Sequence, residues 1–225
     1  MLTKFGNILF HFRNILFPVF YAALFIPSPV IFRSEEWALK TGLLFIITGI
    51  LIRCTTIGLV YIIRGGSKRR IHAETLVTDG MYKVCRNPMY LGNILILFGF
   101  GLFANSLVFI LIFIPLFVFF YAAIIFAEED FLLKKFGQQF IDYKENSNAI
   151  IPKWGNLKAA FEEQTFKWGK VIYKEHNSLF LYFTGIFLIL LYHGYIGISF
   201  FMVIETIMLI SYFLIKLLKH NKLSH

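Results

Sequence analysis

Long apolar runs alternate with short polar breaks along this chain. Runs at about 15–32, 38–63, 88–105, 107–127, 178–192 and 198–218 approach or exceed the length needed to cross roughly 30 Å of hydrocarbon as helix. The pattern predicts an all-α, polytopic transmembrane bundle of about six helices with cytoplasmic helical extensions. Pro18, Pro27 and Pro29 interrupt the first run, and the fifth is the shortest. Only Asn105 and Ser106 separate the third run from the fourth, so those two helices are expected antiparallel and in contact. Gly92 and Gly99 lie two turns apart on one face, with Gly101 close by, which predicts close helix packing. The Gly-x-Gly at 99–101 is no nucleotide fingerprint, because no strand precedes it.

The breaks divide the chain into an N-terminal helix at 1–37, a core at 38–154 and an extension at 155–225, joined near Pro152-Lys153-Trp154-Gly155. In the extension Leu157, Phe161, Trp168 and Ile172 recur at roughly helical spacing among Lys158, Lys167, Lys170 and Lys174. That spacing predicts an interfacial helix on the inner leaflet. A helical hairpin at about 178–218, turning at His193-Gly194-Tyr195, follows it. There is no internal repeat or low-complexity tract.

Composition agrees with a membrane protein. Hydrophobic residues make up 58%, Phe alone contributes 28, and the mean hydropathy is +0.70, which excludes a soluble domain of this length. All but three of the 22 Lys and Arg fall on one side if both termini are cytoplasmic; the exceptions are Arg33, Lys40 and Arg53. The net charge of +9 is thus read as the positive-inside bias with attraction to lipid headgroups, and nucleic acid is not expected as a partner. Cys54 and Cys85 suggest no disulfide framework, and the six His show no metal-ligand spacing. The first apolar run has no small-residue cleavage pattern after it and is read as a retained helix in a bacterial inner membrane.

Candidate chemistry concentrates at the entry to the third run. Thr78-Asp79-Gly80 is a turn signal, and Asn87-Pro88 reads as a helix start, with Asn capping backbone N–H groups and Pro at the first position. That helix end favours an anion. Tyr82, Arg86 and Tyr90 place two phenols and a fixed cation within nine residues of one another. If the fourth run continues as helix past Ala127, Glu128, Leu132 and Phe136 share one face, followed by Phe140 and Tyr143. Arg53 and Glu205 are ionisable groups inside predicted spans, at depths that do not match as a pair.

Together these segments resemble the membrane-embedded isoprenylcysteine carboxyl methyltransferase and phospholipid methyltransferase group. The shared pattern runs Leu76-Val77, Gly80, Tyr82, then Arg86, Pro88, Tyr90, Gly92, then Glu128-Glu129, Leu132, Phe136-Gly137, Phe140 and Tyr143. The resemblance covers about 70–152. It implies S-adenosylmethionine as cofactor, held by Thr75, Leu76, Val77, Gly80, Tyr82, Asn87, Pro88, Met89, Tyr90 and Glu128. It further implies a lipidic or amphipathic acceptor, with Glu128, Glu129, Arg86 and Tyr90 as catalytic candidates and no metal.

Two departures bear on the acceptor. Glu74 stands where the prenylcysteine enzymes carry His, with His72 as a weak replacement, and Asn87 replaces the His of their Arg-His-Pro motif. Their arginine shortly before the acidic pair has no counterpart, since 107–127 holds no cation; Arg53 is placed to line a substrate cavity instead. Both changes argue against methylation of a prenylated-protein carboxylate. Two alternatives remain at this stage: a nicotinamide-dependent reductase of the sterol-reductase kind, and a non-enzymatic membrane protein that retains the fold.

Overall fold

The structure is a computed structural model that describes residues 2–60, 73–162 and 164–223. His72, the cations Arg64, Lys68, Arg69 and Arg70, and the last residues of the predicted second run lie outside the described residues. Two compact units divide the chain, Met1–Thr165 and Phe166–His225.

In the first unit α1 spans Leu2–Ala22 and α2 spans Glu35–Leu59. After them come α3 at Met81–Val84, α4 at Pro88–Phe103, α5 at Ile114–Phe136, α6 at Gln138–Asn146 and α7 at Leu157–Glu162. A π-helical stretch, Phe109–Phe113, leads directly into α5. The second unit holds α8, Trp168–Tyr192, and α9, Ile198–Leu223. Among the described residues four helical stretches are long and apolar enough to cross a membrane: Glu35–Leu59, Phe109–Phe136, Trp168–Tyr192 and Ile198–Lys219. Pro88–Phe103 is apolar but shorter. Among the described residues the regular structure is all helical, consistent with the predicted helical membrane bundle.

The first run is displaced from its expected place. Instead of 15–32, the helix begins at Leu2 and ends at Ala22, with Pro18 inside it, and a single 3-10 turn at Ala23–Phe25 follows. Pro27 and Pro29 account for the stop, because a residue before proline is pushed out of the helical region. The irregular segment after it is pinned to the far end of α4. Ile31 and Phe32 donate their backbone N–H groups to Asn105 Oδ1 at 2.9 Å, and Asn105 Nδ2 donates to the Phe32 carbonyl at 3.0 Å. The turn at Asn105-Ser106 is thus present, with Asn105 at φ 51°.

α4 and α5 touch, as their short connection requires, but the main neighbour of α4 is α2. The two run antiparallel with backbones in contact. A methyl on Gly49 would meet the Gly92 carbonyl oxygen at 2.6 Å, and one on Gly99 would meet Ile46 N at 2.7 Å. Gly101 instead makes room for Phe109 and Ile110. α1 packs on α5 through aromatic rings, among them Phe20 on Phe117 at 4.5 Å and Phe5 on Phe119 at 6.1 Å. α5 continues past Ala127 as expected, but it ends at Phe136 because Gly137 turns at φ 52°. Phe140 and Tyr143 therefore belong to α6.

In the second unit α8 begins ten residues earlier than expected, at Trp168. The expected interfacial helix is thereby split: Leu157 and Phe161 lie on α7, whereas Trp168 and Ile172 open α8. Its turn falls at His193-Gly194-Tyr195, with Gly194 at φ 75°. Glu205 on α9 accepts from Thr184 Oγ1 on α8 at 2.9 Å, a bond inside the hairpin.

Candidate functional site

The site is built on the elbow between α2 and α4. Gly80 takes φ 58°, a conformation that favours glycine, and a Cβ there would sit 2.7 Å from Val60 Cγ2. The Thr78-Asp79-Gly80 turn then starts α3: Tyr82 N–H donates to the Asp79 carbonyl at 3.1 Å and Lys83 N–H to the Gly80 carbonyl at 3.0 Å. After one helical turn Cys85 is extended, and Pro88 opens α4 at the position where its missing N–H costs nothing.

The segment after α6 runs along this elbow. Arg86 N–H donates to the Asn148 carbonyl at 2.8 Å, and Lys153 N–H donates to the Val84 carbonyl at 2.9 Å. Asn87 corrects one expectation. It occupies the cap position of α4, but its side chain makes no capping bond; Nδ2 donates instead to the Ala149 carbonyl at 3.1 Å. The amide is turned so that Nδ2 meets a backbone acceptor 62 residues away, and Oδ1 caps no local N–H group.

Two side-chain pairs join the elbow to α5. Arg86 is buried and donates through Nε to Glu129 Oε1 at 2.9 Å, with Nη1 reaching the carbonyls of Lys144 and Ser147. Lys144 Nζ lies 3.1 Å from the other Glu129 oxygen. Both oxygens of Glu129 thus face cations, and the guanidinium ties α5 to the end of α6. Tyr90 forms the second pair: its hydroxyl donates to Glu128 Oε1 at 2.8 Å, and its ring lies 5.1 Å from the Tyr121 ring. Tyr90 and Glu128 are only half-buried.

The remaining predicted residues divide by position. Pro88 is buried and Met89 half-buried at the start of α4. Tyr82 is buried, and its carbonyl accepts from the Tyr143 hydroxyl at 2.8 Å. Leu76 packs on a cluster of Ala73, Leu132 and Phe140, one turn beyond Glu128 on α5; Val77 is half-buried, and Thr75 and Glu74 are exposed. Three contributors escaped the sequence reading. Tyr121 had a legible signal, lying two turns before Glu128 on the same face of α5. Asn93, three residues past Tyr90, accepts through Oδ1 from Arg53 Nη1 and had a weaker one. Ser147 contributes a carbonyl and had none.

Burial pushes the Cys85 thiol up to about 11, an effect that a backbone hydrogen bond at Asn87 and the nearby Arg86 charge only partly offset. Cys85 is therefore a neutral packing residue at ordinary pH. Among the described residues no three His, Cys, Asp or Glu side chains group closely enough to hold a metal ion.

A family model described as phospholipid methyltransferase matches residues 37–139, from α2 to the start of α6. The resemblance carried by the motifs is therefore matched by this comparison, and the family points to methyl transfer in a membrane; its methyltransferases generally use S-adenosylmethionine. The chain is also similar to the cobalt-zinc-cadmium resistance protein CzcN of Cupriavidus metallidurans. The two are 35% identical over 80 residues, 36% of this chain and 37% of that protein. Similarity to the nickel-cobalt-cadmium resistance protein NccN of Alcaligenes xylosoxydans xylosoxydans is 33% over 78 residues, 35% of this chain and 36% of that protein. The match spans little more than a third of either relative's length. No solved structure matches.

Proposed function

We propose that this protein is an integral membrane methyltransferase that transfers the methyl group of S-adenosylmethionine to a lipidic or amphipathic acceptor. The observation that carries the reading is the 2.8 Å hydrogen bond from Tyr90 to Glu128, which joins the two motif-bearing segments across α4 and α5. The donor set fits the cofactor. Tyrosine faces suit a sulfonium through cation–π attraction, a carboxylate suits an amine or ribose hydroxyls, and the half-buried Met89 and Leu76 supply apolar surface. S-adenosylmethionine brings an already activated methyl group, so the protein need only hold acceptor and donor in line, which supplies roughly 7–11 kcal/mol of barrier reduction.

Within that reading the two carboxylates divide the work. Glu129, held between Arg86 and Lys144, fixes the end of α5 against the elbow. Glu128 is half-buried and its Oε1 accepts from the Tyr90 hydroxyl at the junction of the two motif-bearing segments, so it is the group assigned here to accept a proton from a hydroxyl or ammonium acceptor. Arg86 is a positioning residue here. The proposal takes both termini as cytoplasmic, on the positive-inside bias, in a bacterial inner membrane, with the acceptor arriving laterally through the bilayer. The metals in the relatives' names suggest a setting of metal stress, in which methylation would alter a membrane component.

Thermal-shift titration of detergent-purified protein tests the cofactor. S-adenosylhomocysteine is expected to stabilise the protein saturably, and Tyr90→Ala and Glu128→Ala to abolish that response. Stabilisation by NADPH in its place would overturn the reading in favour of a reductase, and silence with both ligands would overturn it in favour of a non-enzymatic protein.

A further inference from the structure

α1 stands outside the stretch 37–139 that the family model matches, yet it reaches the site within the same compact unit. It comes against α5 at a glycine. A Cβ on Gly6 would sit 2.1 Å from the Ala123 carbonyl oxygen and 2.8 Å from Ala127 Cβ, one residue before Glu128. Glycine weakens a helix interior, and here its missing side chain admits the neighbouring backbone. A few residues on, Leu9 and Phe10 are buried in one cluster with Ala123 and Ile124 of α5, and Tyr90 packs against that cluster.

A second line of contacts from α1 reaches the same ring. Phe20 lies 4.5 Å from Phe117, Phe117 stacks at 6.3 Å on Tyr121, and Tyr121 lies 5.1 Å from Tyr90. Phe117 and Tyr121 are buried, so close packing holds each in its rotamer. Tyr21 meets Phe100 of α4 edge-on at 5.5 Å. From Phe10 to Tyr21 α1 rises roughly 16 Å, and from Tyr90 to Phe100 α4 rises roughly 15 Å, so the two helices run in the same direction with contacts in step at both levels.

The half-buried Tyr90 depends on this packing for its aim. Seated on the cluster and on Tyr121, its ring keeps the rotamer that delivers the hydroxyl to Glu128 Oε1 at 2.8 Å. We propose that α1 is a working part of the site, with Leu9 and Phe10 as positioning residues that hold Tyr90 on Glu128 and so fix the tyrosine face presented to the sulfonium; the sulfonium rests on the methyl-transfer reading above. A misplacement of about 1 Å in such a ring is enough to spoil the alignment of methyl donor and acceptor. The matched stretch supplies Tyr90 and Glu128, and α1 supplies the wall that aims one at the other.

Full-length protein carrying 3-fluorotyrosine in place of its 11 tyrosines is followed by fluorine NMR in detergent, with the Tyr90 signal assigned by its loss in Tyr90→Phe. Affinity for S-adenosylhomocysteine is measured on unlabelled protein by calorimetry. Phe10→Ala is expected to shift or broaden the Tyr90 signal and to weaken S-adenosylhomocysteine binding tenfold or more, and Phe10→Leu to restore most of both. Leu24→Ala, at another buried position past the end of α1, is expected to lower the unfolding temperature while leaving signal and affinity unchanged. Should Phe10→Ala fail to fold, Gly6→Ala, which must push α1 off the Ala123 carbonyl, is expected to move the same signal. An unmoved Tyr90 signal in the folded variants, a signal that moves equally in Leu24→Ala, or an unchanged affinity when the signal moves overturns the proposal. A Tyr90 signal governed by Phe10 in a parent protein that ignores S-adenosylhomocysteine would leave the positioning of Tyr90 standing and overturn the methyltransferase reading instead.

Discussion

At its Phe103 end α4 turns at Asn105, whose amide bonds Ile31 and Phe32, and at its Pro88 end it leaves an elbow whose Arg86 bonds Glu129 and the carbonyls of Lys144 and Ser147. Both are buried polar groups that fasten a loop to a helix end. The difference lies in what surrounds them. Around Asn105 the bonds close on backbone groups, and among the described residues no ionisable side chain joins them. Beside Arg86 two carboxylates follow one another in the chain: Glu129 bonds Arg86, and Glu128 accepts from Tyr90 on a half-buried face. The Arg86 bond fastens the loop, and the Tyr90–Glu128 bond beside it joins the two motif-bearing segments, which is why the proposed chemistry is assigned to the Pro88 end.

The comparison breaks most severely at Arg86. Arg86→Leu removes one partner of a buried pair and leaves Glu129 Oε1 and the carbonyls of Lys144 and Ser147 without their donor, so a loss of about 3–5 kcal/mol is expected. Chemical denaturation in detergent reads it, and an unchanged midpoint would remove the fastening role. Glu128→Gln sharpens the contrast from the other side: turnover should fall roughly 100-fold or more. Its unfolding midpoint should stay close to that of the parent, and a large shift would show that Glu128 is structural like its neighbour. Asn105→Ala should cost about 1–3 kcal/mol by leaving the Ile31 and Phe32 N–H groups without their acceptor. Methyl transfer should be unaffected once the protein is folded, and a loss of turnover in the folded variant would erase the distinction between the two ends.

The smallest effect concerns Cys85. Its thiol titrates near 11, against 9.0 for an ordinary thiol, so the folded protein holds that proton more tightly than the unfolded chain. The associated stability is fully present below about 9 and declines as pH rises through 11. Cys85→Ala should flatten that alkaline decline. Maleimide labelling of the native protein at neutral pH should be slow at Cys85, and rapid labelling would show the elbow to be more open than its packing indicates.

Much of this site was legible before the fold. Pro88 marked the start of α4, Gly80 the turn and Asn105-Ser106 the next one, because each acts through the backbone within a few residues. Glu128 could be followed along α5 to Leu132 and Phe136 by helical spacing alone. The same locality misled at Asn87, whose amide passed over the cap for Ala149, and at the first helix, where prolines at 27 and 29 marked an end rather than an interior.

Apolar runs, proline and glycine positions, and the excess of Lys and Arg fixed the class of the protein and several helix ends, since each acts on its own stretch of chain. Only the tertiary structure decided that α4 lies chiefly on α2, that Arg86 takes Glu129 while Tyr90 takes Glu128, and that Arg53 meets Asn93 across the glycine seam. A buried hydrogen-bonding group must find a partner, and which one it finds depends on the residues that packing brings close, often 40 or more positions away.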